Sequence, residues 1–267
     1  MKWIASLPMY GFAPAALGAF WSAVSQRLHA SGVTDIPNAL STPDTPYLNH
    51  WLRNDLLVSQ TCGYPLATEL KHRVAMLGTF RYRAQGCEGI RCSSQLVVHP
   101  RNAAKGLGDF RGMTVAFNST DSQSGYNSLR AMVAPLAVQG RFFGQSIATG
   151  SHLASMQAVL EGRADIAAVD AVTLAGLGAQ PDRAIKALVI IGQTAHYPGL
   201  PVICANTVPP DVRQAILDAI VAVVQDPAMA PVCAALLMTG FEPIALSDYA
   251  ICLAMRDQAT ALGVTEL

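Results

Sequence analysis

The chain has 267 residues, 51% of them hydrophobic and 13% charged, so it can bury one large α/β domain or two smaller lobes and is too apolar to be disordered. Lys+Arg and Asp+Glu balance at 18 each, and the four lysines (Lys2, Lys71, Lys105, Lys186) stand apart. That leaves no basic surplus for a nucleic-acid partner and no basic run for a membrane surface.

Trp3–Leu7 reads as a first buried strand. The apolar N-terminal region through Ala23 is interrupted by Pro8, Gly11 and Pro14, so it lacks the continuous core of a secretory leader. Met1 is therefore expected near the start of the mature domain, with a leader either removed or never present. No apolar run reaches the roughly 18–20 residues of a spanning helix. Ala15–His29 is predicted as a helix with Leu17, Phe20, Trp21, Val24 and Leu28 on one stripe, stopped by Gly32. A short helix through Trp51, a strand Leu56–Ser59, a helix Pro65–His72 and a strand Val74–Phe80 follow.

Ser93–His99 is a longer strand, and a second alternating block begins after it. Its strands are Met113–Phe117, Gln145–Ala148, Asp165–Val169 and Ala187–Ile191; its helices are Gly125–Ala137, His152–Leu160 and one from Ala171. Pro201–Ala205 runs back toward the first block. Two helices close the chain, capped by Asp211 and Ser247. Two βαβ blocks of parallel sheet predict two Rossmann-like lobes: residues 1–93 plus 195–267, with both terminal helices, and residues 94–194.

Six cysteines, at 62, 87, 92, 204, 233 and 252, form no CxxC pair, and no His stands at zinc-like spacing, which argues against a metal. They either stay core thiols or pair in part. If a bridge forms, Cys62–Cys87 is the best pair, because both lie in loops after strands.

In open α/β sheets, ligands bind beyond the carboxyl ends of strands, where helix N-termini present free N–H groups. The loop after Met113–Phe117 carries Ser122, Ser124, Gly125 and Tyr126 into a helix. The next βα loop carries Gly150, Ser151 and His152, and Asp170 ends the strand after that. Each alone reads as an ordinary helix cap or surface residue; two Ser/Gly loops in successive units read as an anion cradle. Tyr10, and Gln60 and Tyr64 within Gln60-Thr61-Cys62-Gly63-Tyr64-Pro65, are the first block's candidates. His196-Tyr197-Pro198-Gly199 suits a hinge, and Arg183 reads as a surface residue remote from these loops.

Phe110-Arg111-Gly112, Val115-Ala116-Phe117-Asn118, Ser122-Gln123-Ser124-Gly125-Tyr126-Asn127, Gly150-Ser151-His152 and Gly162-Arg163-Ala164-Asp165-Ile166-Ala167-Ala168-Val169-Asp170 together resemble the phosphate/phosphite/phosphonate-binding proteins of ABC importers. The resemblance implies a type II periplasmic-binding fold with a two-segment hinge. It implies a small oxyanion held between the lobes by Ser122, Ser124, Gly125, Tyr126 and His152, and further by Tyr10, Tyr64 and Asp170. It also implies a membrane permease as partner, a periplasmic location, a monomer and no cofactor. The missing leader departs from the family and keeps a cytoplasmic location open. Two alternatives stand beside transport: an enzyme on this fold with His152 and Asp170 as acid–base pair, and a ligand-sensing domain. No GxSxG, HExxH or P-loop is present, and Gly106-Leu107-Gly108 precedes a strand instead of following one.

Overall fold

A computed structural model describes residues 2–180 and 184–267; Met1 and Arg183 lie outside the described residues. The chain divides into two compact units. The first comprises residues 1–83, 88–90 and 198–248, and the second residues 84–87, 91–197 and 249–267.

In the first unit five strands stand in the order Ile4–Ala5, Leu56–Gln60, Pro201–Ala205, Val74–Tyr82, Met238–Glu242. The first pair is parallel and the other pairings are antiparallel, so the sheet is mixed and not the parallel sheet expected. Leu56–Gln60 and Pro201–Ala205 are buried along their whole length, which is why each reads as an unbroken apolar run. Phe80 holds the core together, meeting the rings of Phe20 at 5.8 Å and Phe241 at 4.9 Å. The helix Pro14–Ala30 contributes Phe20, Trp21, Val24 and Leu28, most of the predicted stripe.

The second unit's sheet runs Val189–Gln193, Ser94–Val98, Ile166–Asp170, Thr114–Phe117, Gln145–Ala148. Thr114–Phe117 is parallel to both its neighbours, and the other two pairings are antiparallel. The parallel half is the part that positions the candidate loops, because its strands share one carboxyl end. Leu96, Val98, Phe110, Val115, Leu129, Phe142 and Ile166 form its core.

The C-terminal segment departs from the expected division. The helix Ala250–Ala261 was assigned with residues 195–267 to the first lobe, yet it belongs to the second unit and adds a third passage of the chain, at 248–249, to those at 83–91 and 197–198. Its Met255 clusters with Ala131 and Tyr197, and Ala259 clusters with Ala134 and Val264. Polar anchors fix it: Asn127 Nδ2 donates to the Cys252 carbonyl at 2.8 Å, Gln123 Nε2 reaches Met255 Sδ at 3.1 Å, and Arg130 donates to the Thr265 carbonyl. Neither expected cap is used. The helix Pro210–Gln225 opens on Pro209 with Asp211 inside its first turn, and Asp248, not Ser247, accepts a backbone N–H (Ala245, 2.8 Å) ahead of the last helix. A helix Ala230–Ala235 and the strand Met238–Glu242, absent from the sequence reading, lie between the two terminal helices.

The disulfide is Cys87–Cys92, and Cys62 is buried and outside the bridge. The expected Cys62–Cys87 pairing fails because Cys92, five residues on, lies across a two-stranded turn from Cys87. No single helix among the described residues is long and apolar enough to cross a membrane.

Candidate functional site

Thr114–Phe117 leads into a wide, π-type turn over Gln123–Asn127, which continues as the α-helix Ser128–Val133. The sequence reading of a regular helix from Gly125 missed this extra residue per turn, a feature that favours functional positions. Ser122 caps the turn, its Oγ accepting the Gly125 N–H at 3.0 Å. The Ser124 carbonyl accepts two hydroxyls, Ser94 Oγ at 2.7 Å and Ser128 Oγ at 2.9 Å. Ser94 also meets the Tyr197 hydroxyl at 2.6 Å. Ser94 and Tyr197 are thus supports that sequence reasoning missed; Tyr197 was read only as part of a hinge.

From the neighbouring βα loop, His152 opens the helix His152–Leu160 and places Nε2 2.9 Å from Ser124 Oγ. Ser122 Oγ lies 3.4 Å from Ser124 Oγ. Gly150, at φ +85°, takes the left-handed turn that lets this loop reach the helix start. Burial lowers the His152 pKa, opposed in part by the Asp170 carboxylate, so the ring is neutral at neutral pH. Asn118 Oδ1 and His152 Nδ1 are both buried without a hydrogen-bond partner. Asn118 is a further residue whose part in the site the sequence did not signal.

Among the predicted residues, Ser122, Ser124, Gly125 and His152 come together. The others are engaged nearby. Ser151 is exposed and caps its own helix, accepting the Ala154 N–H at 3.1 Å. Asp170 caps the next helix through the Thr173 N–H at 2.8 Å. Tyr126 is buried, its ring 4.9 Å from Phe117 and beneath the Arg130 guanidinium.

On the first unit, Tyr10 and Gln60 converge on Tyr82. The Tyr10 ring meets Tyr82 edge-on at 5.3 Å, and Gln60 Nε2 donates to the Tyr82 hydroxyl at 3.1 Å. Tyr64 is half-buried on the short helix Gly63–Ala67. The neighbouring Thr61 has a buried hydroxyl with no partner. Among the described residues no group of three or more His, Cys, Asp or Glu is placed to hold a metal.

Comparison with solved structures finds the same arrangement of elements across nearly the whole chain. PhnD1 from Prochlorococcus marinus, in complex with methylphosphonate, superposes with a TM-score of 0.76 at 12% identity, covering 97% of this chain and 98% of that one. A binding protein component of an ABC phosphonate transporter from Pseudomonas aeruginosa gives 0.69 at 13% identity, with 98% and 97% covered. XAC2383 from Xanthomonas citri, bound to ATP, gives 0.69 at 15%, with 98% of each chain covered. These likenesses identify the type II periplasmic-binding fold, two α/β units with mixed sheets. Among curated proteins, none matches the sequence. Residues 53–249, which include both Ser/Gly loops and the strand ending at Asp170, match the family model described as ABC transporter, phosphonate, periplasmic substrate-binding protein. The chain belongs to that family, as a solute-binding component of an ABC transporter for small oxyanions.

Proposed function

We propose that this chain's ligand is a phosphonate, phosphite or phosphate, and that Ser122, Ser124, Gly125, Tyr126, Ser151, His152 and Asp170 form its recognition site on the second unit. The observation that carries the reading is the 2.9 Å approach of Ser124 Oγ to His152 Nε2, which joins two separate helix starts at one point. Helix N-termini favour anions, and hydrogen bonds to a charged ligand add on the order of 1.5–3 kcal/mol each, so the polar groups arranged around Ser124 Oγ outweigh the dipoles. None of these residues carries a fixed positive charge, so selectivity rests on hydrogen-bond geometry. On the first unit we assign ligand recognition to Tyr10, Gln60 and Tyr64.

The reading includes a membrane permease as partner, a monomeric binding protein and no catalytic role. It also includes a periplasmic location, which the Cys87–Cys92 disulfide supports because such bridges persist in oxidising compartments.

The test is calorimetry with phosphate, phosphite, methylphosphonate and an aminoalkylphosphonate, followed by site variants on the best ligand. Ser124→Ala and His152→Ala should each weaken binding roughly tenfold to a hundredfold, and Ser124→Asp more, through like-charge repulsion. Gln157→Ala, exposed on the helix His152–Leu160, should bind as wild type. Folded site variants that all keep wild-type affinity would show the site to be elsewhere.

A further inference from the structure

Asn118 Oδ1 and His152 Nδ1 are buried, unpartnered polar atoms of the cradle, and both side chains border Gly125. A β-carbon placed on Gly125 would lie 2.0 Å from Asn118 Oδ1 and 3.1 Å from His152 Cε1, the ring carbon bonded to both nitrogens. The Asn118 backbone is held there, its carbonyl accepting the Gly150 N–H at 2.9 Å. A buried acceptor and a buried ring nitrogen left unpaired are each costly. One arrangement satisfies both: a proton on Nδ1 directed at Asn118 Oδ1, through one water or after a small movement of the amide.

Taking this cradle as the oxyanion site, we propose that Asn118 holds His152 in the Nδ1–H tautomer, so that Ser124 acts as an acceptor and the site selects an oxyanion that still carries a proton. A neutral imidazole has one donor and one acceptor. With the proton on Nδ1, Nε2 presents a lone pair to Ser124 Oγ at 2.9 Å, and the serine hydroxyl donates to it. The remaining lone pairs of Ser124 Oγ face Ser122 Oγ at 3.4 Å and the ligand position. They repel a bare P–O⁻ and accept a P–OH. The hydrogen-phosphonate monoanion therefore fits, while the dianion and a sulfonate, which has no proton to give, do not.

Of the groups acting on the ring, the Asp170 carboxylate is the charged one, while Ser124 and Asn118 do not titrate in this range. Burial keeps the imidazole neutral, so the discrimination rests on the ligand's proton and not on a charged histidine. The opposite amide orientation of Asn118 would put an N–H against Nδ1 and reverse every step, which makes the tautomer the deciding observable.

Nitrogen NMR of ligand-free protein reads that tautomer directly. The expected result is Nδ1–H for His152 in the wild type, with a shift toward Nε2–H in Asn118→Ala and Asn118→Leu. An Nε2–H tautomer in the wild type overturns the proposal. Calorimetry with methylphosphonate from about pH 7 to about pH 9 provides the second arm. If only the monoanion binds, the apparent Kd rises about tenfold per pH unit above the ligand's second ionisation, because the competent fraction falls by that factor. Methanesulfonate should bind at least about tenfold more weakly than methylphosphonate below that ionisation. A flat profile, or equal binding of the two ligands, overturns it as well. The two readings fail separately: wild-type affinity in Ser124→Ala and His152→Ala removes the site itself, whereas large losses in those variants with a flat pH profile remove only the tautomer selection.

Discussion

Gly125 is the residue on which the cradle's geometry turns. Its backbone is not strained; what it requires is space, because a methyl group there meets Asn118 Oδ1 at 2.0 Å and its carbon near 3.0 Å. Gly125→Ala should therefore push the Asn118 side chain and the His152 ring apart. The expected cost is about 1–3 kcal/mol in stability, as for overpacking in a core, together with a loss of affinity as large as that of Ser124→Ala. Wild-type melting and affinity in that variant would show that the loop absorbs the methyl group. Ser94 is the corresponding support from beneath. It is fully buried between the Ser124 carbonyl and the Tyr197 hydroxyl, so Ser94→Ala should cost about 1–3 kcal/mol by leaving buried polar groups unpaired. Far from the cradle, His50 is buried in a chain in which its Nε2 lies 2.6 Å from Ser6 Oγ and Ser6 Oγ lies 2.9 Å from Ser59 Oγ. Burial and Arg53 lower its pKa below 6.5, against the pull of Asp44 and Asp55. The unfolded chain then takes up the proton first as pH falls, so stability is lost as pH falls below about 6.5 and levels off below the folded-state pKa. His50→Gln, which retains a polar partner for Ser6 but cannot charge, should flatten that part of the melting-temperature profile. An unchanged slope would assign the acid sensitivity to His152 or to carboxylates.

At the scale of elements, the last helix explains why the π-type turn is so polar. Gln123 and Asn127 in the turn and Arg130 in the helix that continues it are buried, and each donates a hydrogen bond to a residue of the C-terminal segment. Asn127→Ala removes two bonds, to Gln123 Oε1 and to the Cys252 carbonyl, and should destabilise the second unit by about 1–3 kcal/mol. Ending the chain at Asp248 should do far more, abolishing cooperative melting of the second unit. A truncated protein that still binds oxyanion would contradict this docking. The sequence carried part of this information. Buried strands such as Leu56–Gln60 and Pro201–Ala205 and the helix His152–Leu160 were legible because continuous apolar runs and a Ser cap before an apolar period have few other readings. The docking of the last helix was not legible: amphipathicity shows that Cys252, Met255 and Ala259 face a core but not which core. The strand Met238–Glu242 was hidden for another reason. It is short, follows a left-handed residue, Leu237 at φ +59°, and contains Gly240, so it carries neither the length nor the β-branched run that marks a strand. In the site, the Ser/Gly loops were visible as residue types. The engagement of Ser94, Tyr197 and Asn118 is a tertiary fact that one sequence cannot display.

For the whole molecule, two units with separate five-stranded sheets are joined by three passages of the chain. The first passage holds the only pair of bonded cysteines among the described residues, Cys87 and Cys92, placed on either side of Glu88–Ile90, the short stretch that returns to the first unit. The remaining cysteines, Cys62, Cys204, Cys233 and Cys252, are buried, and burial drives the Cys204 thiol up to about 12, which leaves it protonated and unreactive in the folded protein. Thiol reactivity should therefore report folding and pairing separately. Native, unreduced protein should react slowly with a thiol reagent, and denatured, unreduced protein should titrate as the four cysteines outside the bridge. Six titratable thiols after denaturation would mean that the bridge does not form. A ligand that binds only the folded protein should raise its stability by about 2.7 kcal/mol at a hundredfold excess over Kd, and so slow the exposure of Cys252, which is buried in the second unit. Cys62, Cys204 and Cys233 belong to the first unit and should be protected as well if Tyr10, Gln60 and Tyr64 of that unit hold the ligand. Protection of all four thiols by saturating oxyanion is the outcome expected of a ligand held by residues of both units; protection confined to Cys252 would remove Tyr10, Gln60 and Tyr64 from the site.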